Sequence, residues 1–114
     1  MGRYAQASRR GTNNTPAELP LSEITYIRIG DDPGNQAIYF EQTGGNATPY
    51  WQAEVRVAGQ TVWTVSPVTP NAGTAIVSNI PGYLAGQAAH SRARDTLADG
   101  TPFNSFGFAT SFII

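Results

Sequence analysis

Few side chains in this chain of 114 residues are able to do chemistry: one histidine, eight carboxylates, seven arginines, and neither cysteine nor lysine. Nucleophilic catalysis needs a hydroxyl or thiol beside a base, a third group orienting that base, and donors aimed at an oxyanion. His90 is the sole histidine and Ser91 follows it directly. Successive residues of a strand point to opposite faces, so the two cannot pair with each other. His90 shares its parity with Arg92 and Arg94, which predicts a solvated histidine in a polar stripe. Among the carboxylates, Asp31 and Asp32 lie in the run Gly30-Asp31-Asp32-Pro33-Gly34-Asn35, and Asp95 and Asp99 flank a second turn. Calcium takes about six to eight oxygen ligands, and neither run has the spacing of an EF-hand loop. Aspartate in such a setting hydrogen-bonds its own backbone, so turn formation is the expected role, with a weak calcium site at Asp31-Asp32 as the alternative. Glu41 and Glu54 fall on expected strands, but no spacing brings them into one cleft as glycoside hydrolysis requires. There is no glycine-rich loop leading into a helix and no phosphate-binding lysine. The inventory predicts no catalytic residue, no cofactor and no metal.

Side chains suited to contact are better represented. Residues 1–17 carry Arg3, Arg9 and Arg10 and no acid, while the remainder carries four arginines against eight acids. Arginine offers a planar, five-donor fork and stacks on aromatic rings, which suits protein interfaces. Arg3, Tyr4, Arg9 and Arg10 are therefore the expected interface residues of a basic, extended N-terminal arm covering residues 1–20, closed by Pro16 and Pro20. Its start lacks the apolar stretch of a secretory signal. Three arginines ahead of an acidic body are too few for a nucleic-acid footprint. No run approaches the ~18 apolar residues of a membrane-spanning helix. Tyr26, Tyr39, Tyr50, Trp51, Trp63 and Tyr83 are candidates for a stacking platform. Trp51 shares parity with Val55 and Val57 and belongs to the core, whereas Tyr50 and Trp63 are the two that would form an exposed patch.

The elements that must carry these residues follow from a period of two. Trp51, Ala53, Val55 and Val57 alternate with Gln52, Glu54 and Arg56, the pattern of a half-buried antiparallel strand. Phe106, Phe108, Thr110, Phe112 and Ile114 share one parity near the C-terminus. Ala85 to Ala98 is rich in alanine and arginine, yet Gly86 and the alternation of Ala89, Ser91 and Ala93 with His90, Arg92 and Arg94 read as a strand. Turn signals recur between the runs, at 30–35, 43–46, 58–60, 70–73, 81–82 and 98–100, where Gly and Asn supply positive φ and Pro lacks a ladder donor. The result is an all-β sandwich or barrel of about seven strands, at 24–29, 37–42, 50–58, 61–66, 74–80, 87–95 and 105–113. With no cysteine, its stability rests on burial without disulfides.

Three segments resemble a fibronectin type III module. Tyr50-Trp51-Gln52-Ala53-Glu54-Val55-Arg56-Val57 is similar to the family's third strand, Ile80-Pro81-Gly82 to the segment after its fifth, and Ala89-His90-Ser91-Arg92-Ala93-Arg94 with Ala98-Asp99-Gly100 to its sixth. The chain departs from that pattern where the family places an inward tyrosine: Ala89 stands there, and Tyr83 is the candidate substitute. Phe40 is the nearest large residue where a strand-two tryptophan is usual. The resemblance implies an antiparallel, immunoglobulin-like (fibronectin type III-like) two-sheet sandwich over residues 21–114 behind the arm.

The opening Gly2-Arg3-Tyr4-Ala5, with Ser8-Arg9-Arg10-Gly11, joined to such a module resembles small structural proteins of tailed bacteriophages. That resemblance implies a non-enzymatic virion component. Its arm would dock on capsid or tail subunits in many copies and its sandwich would project outward, with capsid decoration ahead of neck or tail. The alternatives are a carbohydrate-binding or adhesion module that contacts host surface glycans, and a self-assembling filament subunit.

Overall fold

The computed structural model describes residues 24–45 and 47–114; the N-terminal arm, with Arg3, Tyr4, Arg9 and Arg10, lies outside them. The described chain is an all-β sandwich of two antiparallel sheets. Its strands are β1 (Thr25–Asp32), β2 (Ala37–Gly44), β3 (Tyr50–Val57), β4 (Thr64–Val65), β5 (Thr69–Pro70), β6 (Thr74–Val77), β7 (Ala88–Thr96) and β8 (Thr110–Ile113). One sheet has the order β1-β2-β6. The other has the order β4-β3-β7-β8, with β5 also paired to β3. The chain therefore crosses from the first sheet to the second after β2, returns at β6, and crosses again to β7. Among the described residues, the one helical element is a single 3-10 turn at Pro33–Asn35 between β1 and β2.

The core lies where inward parities meet. Ile38, Phe40, Ala75 and Val77 from the first sheet face Trp51, Ala53, Val55, Val57, Ala89 and Ala93 from the second, all at most 1% exposed. Ile24 and Ile80 close the cluster, and Tyr26, Tyr83, Phe112 and Ile114 pack against its rim. The rings meet edge to face, Tyr26 with Phe40 at 5.7 Å and Phe40 with Phe112 at 6.5 Å between centroids, the arrangement favoured by the aromatic quadrupole. Ser91 is a polar residue on the inward side of β7, and it is satisfied across the layers by the Tyr26 hydroxyl at 3.1 Å.

Two expected strands are much shorter than their patterns. The segment at 61–66 contributes only Thr64–Val65, because it pairs with β3 solely at Glu54 and Val55. The segment at 105–113 contributes only Thr110–Ile113. Phe108 is 83% exposed, and Phe106 is drawn away onto arginine side chains of the neighbouring strand. Strand β6 stops at Val77 because Asn79 takes a positive φ of 55°, outside the extended region.

Candidate functional site

The outer face of the five-stranded sheet brings together the histidine, three arginines and one carboxylate. Register places Gln52 opposite Arg94, Glu54 opposite Arg92 and Arg56 opposite His90 across β3 and β7. Paired residues share a face, so these six side chains project together away from the core. Two aromatic rings are laid over them. Trp63 comes from the segment entering β4, and Phe106 comes from the connection between β7 and β8. The Arg92 guanidinium carbon sits 3.9 Å from the Trp63 centroid and 5.3 Å from that of Phe106. Arg56 lies 5.1 Å from Trp63, and Arg94 lies 4.2 Å from Phe106. The order is therefore a column: Arg56, Trp63, Arg92, Phe106, Arg94. Each contact sets a guanidinium against a ring as cation–π attraction requires.

That roof changes the environment beneath it. Gln52 and Glu54, expected on a solvated face, are only 9% and 6% exposed. The Glu54 carboxylate accepts from Arg92 Nε. The Gln52 side-chain oxygen accepts from both Nε and Nη2 of Arg94, at 3.3 and 3.0 Å, while its amide donates to the Ser66 carbonyl at 3.0 Å. Burial pulls the Arg94 guanidinium below its ordinary value, and the nearby Glu54 charge acts in the opposite sense. Arg56 Nε is buried with no partner.

The expected aromatic patch has a different form. Trp63 is half-buried on the arginines while its neighbour Val62 points to solvent. Tyr50 is half-buried on the same outer face. It lies four to six residues along β3 from the positions Trp63 covers, roughly 13–20 Å at strand rise. The structure does not bring Tyr50 and Trp63 together as one platform.

Other expected residues are placed as follows. His90 is half-buried, and its Nδ1 lies 3.1 Å from the Ser111 hydroxyl on β8, while Ser91 points the other way, into the core. Among the described residues, no carboxylate hydrogen-bonds or ion-pairs with His90 to orient such a pair. Asp32 caps the 3-10 turn: it accepts from the Gly34 amide at 3.1 Å, from Asn35 Nδ2 at 2.7 Å and from the Tyr39 hydroxyl at 3.2 Å. The Asn35 hydrogen bond is the chief cause of a carboxyl pKa below the usual 3.8. Asp31 instead pairs with Arg28 at 3.2 Å. Asp32 therefore plays the turn-forming part, whereas Asp31 lies on β1 with its carboxylate in an ion pair. Among the described residues, no group of three His, Cys, Asp or Glu side chains is placed to hold a metal ion. Glu41 is on β2 and Glu54 on β3, in different sheets.

One buried acid escaped the sequence reading. Asp95 continues the inward parity of β7 and is 2% exposed. Asn104 holds it from the long β7–β8 connection, accepting from the Asp95 amide at 3.2 Å and donating to Oδ2 at 3.3 Å, while Oδ1 has no partner. The pair ties that connection to the sheet, helped by the Phe103 amide donating to the Asp95 carbonyl at 2.9 Å.

Comparison of the chain with protein-family models, with curated proteins and with solved structures finds no match in any of the three. Among the described residues, no helix is long and apolar enough to cross a membrane.

Proposed function

We infer that this chain is a non-enzymatic structural or accessory component of a tailed-phage virion, working by contact. In this reading the basic N-terminal segment, through Arg3, Tyr4, Arg9 and Arg10, docks on capsid or tail subunits, and the sandwich is the body it displays. Capsid decoration is the preferred placement. The observation that carries the reading is the division of the chain. A two-layer core is assembled from Ile24 onward, and three of the seven arginines are gathered ahead of it, within residues 1–17, with no acid among them.

Physical economy supports the same reading. Fixing an extended segment costs about 1–2 kcal/mol per residue in backbone entropy, so such a segment must gain charge-assisted hydrogen bonds or apolar contacts when it docks. Many copies on a symmetric lattice raise the overall avidity without strong single contacts.

The test is stoichiometry. Quantitative mass spectrometry of purified particles should find the chain in numbers that match a capsid lattice. A handful of copies would move it to a neck or tail position, and absence from particles would refute the reading.

A further inference from the structure

We propose that the arginine column on the outer face of β3 and β7 is a docking surface for an extended, acidic segment of a partner protein, one carrying carboxylates at alternate positions.

The argument starts from what the column leaves unused. Each guanidinium has about five N–H donors in one plane and two flat faces. Rings take faces of all three: Arg92 lies between Trp63 and Phe106, while Arg56 and Arg94 each meet one ring. The in-plane edges are mostly not taken. The protein's own acceptors take Arg92 Nε, by Glu54, and Arg94 Nε and Nη2, by Gln52. Arg56 Nε is buried and out of a partner's reach, so the edges on offer are the remaining donors of Arg92, whose side chain is 32% exposed, and of Arg94. Edges, not faces, are what a carboxylate binds, by two parallel hydrogen bonds. A sugar or aromatic ring would need the aromatic faces that the arginines already cover.

Charge selects the same occupant. Three arginines against one glutamate leave this face with an excess of two positive charges, whereas residues 24–114 as a whole carry four arginines and six acids. An overall negative body repels a long polyanion such as nucleic acid or a heavily sulfated glycan. It tolerates a segment with two or three carboxylates that meets only this face. Spacing fits as well. Arg92 and Arg94 are two residues apart on β7, so their side chains leave the sheet about 6.6–6.8 Å apart, the distance between alternate residues of an extended partner. The rings hold the guanidiniums in place before binding, which lowers the ordering cost of the contact.

The test uses the full chain and a capped peptide of alternating glutamate and threonine, with a glutamine-for-glutamate peptide as control. Arginine Nε–Hε resonances are followed by NMR. The expected result is saturable shifts of the Arg92 and Arg94 signals, affinity falling about tenfold between low salt and ~0.3 M salt, and no shifts with the control peptide. Arg94→Gln should weaken binding about tenfold, equivalent to the loss of one charge-assisted contact. A variant with Arg3, Arg9 and Arg10 all changed to Gln should bind as the parent does. Should Arg94→Gln unfold, the two peptides on the parent chain still decide the matter. Equal shifts with both peptides, no shifts at all, or binding abolished only by the triple variant would overturn the proposal. Tighter binding of a sulfated oligosaccharide than of the acidic peptide would overturn the choice of partner.

Discussion

Removing one member of the Glu54–Arg92 pair should be costly in an asymmetric way. The Glu54 side chain is 7% exposed and that of Arg92 is 32% exposed. Glu54→Leu leaves an arginine that is still stacked on two rings and able to turn its donors to water. Its expected cost is about 1 kcal/mol, below the roughly 1.5–3 kcal/mol of a charge-assisted hydrogen bond because water takes the place of the lost acceptor. Arg92→Met keeps the aliphatic stem between Trp63 and Phe106 but leaves a buried carboxylate without its partner, and removal of one partner from a buried pair costs about 3–5 kcal/mol. The partial exposure of Arg92 places the expected value near the bottom of that range, about 3 kcal/mol. The double variant replaces the pair with apolar side chains and should return to within about 1 kcal/mol of the parent, so the coupling is about 3–4 kcal/mol. At roughly 4–8 °C per kcal/mol for a domain of this size, Arg92→Met should melt about 12–24 °C below the parent. Urea unfolding followed by tryptophan fluorescence measures all four corners of the cycle. Equal costs for the two single changes, or a coupling under about 0.5 kcal/mol, would refute the view that the roof buries Glu54 and makes it depend on Arg92.

Other consequences are as direct. Asn104→Ala should cost about 2–3 kcal/mol, because it leaves the buried Asp95 carboxylate without a donor, and hydrogen exchange at the Phe103 amide should quicken; unchanged exchange would mean that Asn104 does not pin the connection. Gly82→Ala should cost about 1–2 kcal/mol, since φ is +77° and a Cβ would lie 2.9 Å from the Gln60 side chain; a neutral melting temperature would contradict this. Asp32 should titrate below 3.8 in the folded protein, chiefly through its hydrogen bond from Asn35. Its contribution to stability is therefore present above pH 3.8 and is lost as pH falls through the lower folded value. Asn35→Ala should move the Asp32 titration, followed by carboxyl carbon NMR, back toward 3.8, and an unmoved titration would remove Asn35 as the cause.

The period-two runs were legible because a half-buried strand writes its inner face directly into the sequence. Trp51, Ala53, Val55 and Val57 are all at most 1% exposed, and 85–98, with its alanine-rich composition, is largely strand because Gly86 and the Ala/Ser parity outweighed helix propensity. The same logic failed where tertiary contacts override parity. Phe106 and Phe108 fit an inward pattern, but the first stacks on arginine and the second is exposed. Nothing local in Gln52 and Glu54 says that they will be roofed, because the roof comes from Trp63, past the turn that ends β3, and from Phe106, beyond β7. Arg92 and Arg94 were visible as outward residues; their convergence on two rings was not, since it depends on where β4 and the β7–β8 connection return to the sheet. Asp95 was readable in principle. It continues the parity of Ala89, Ser91 and Ala93, but its position near a turn signal drew the reading toward the turn.

The claim that the chain works by docking is tested most directly by trypsin. Cleavage after Arg3, Arg9 and Arg10 should be much slower in purified particles than in the free protein, while β7, with Arg92 and Arg94 held in a paired strand, should resist in both. Equal cleavage rates at the three N-terminal arginines in the two states would contradict the account.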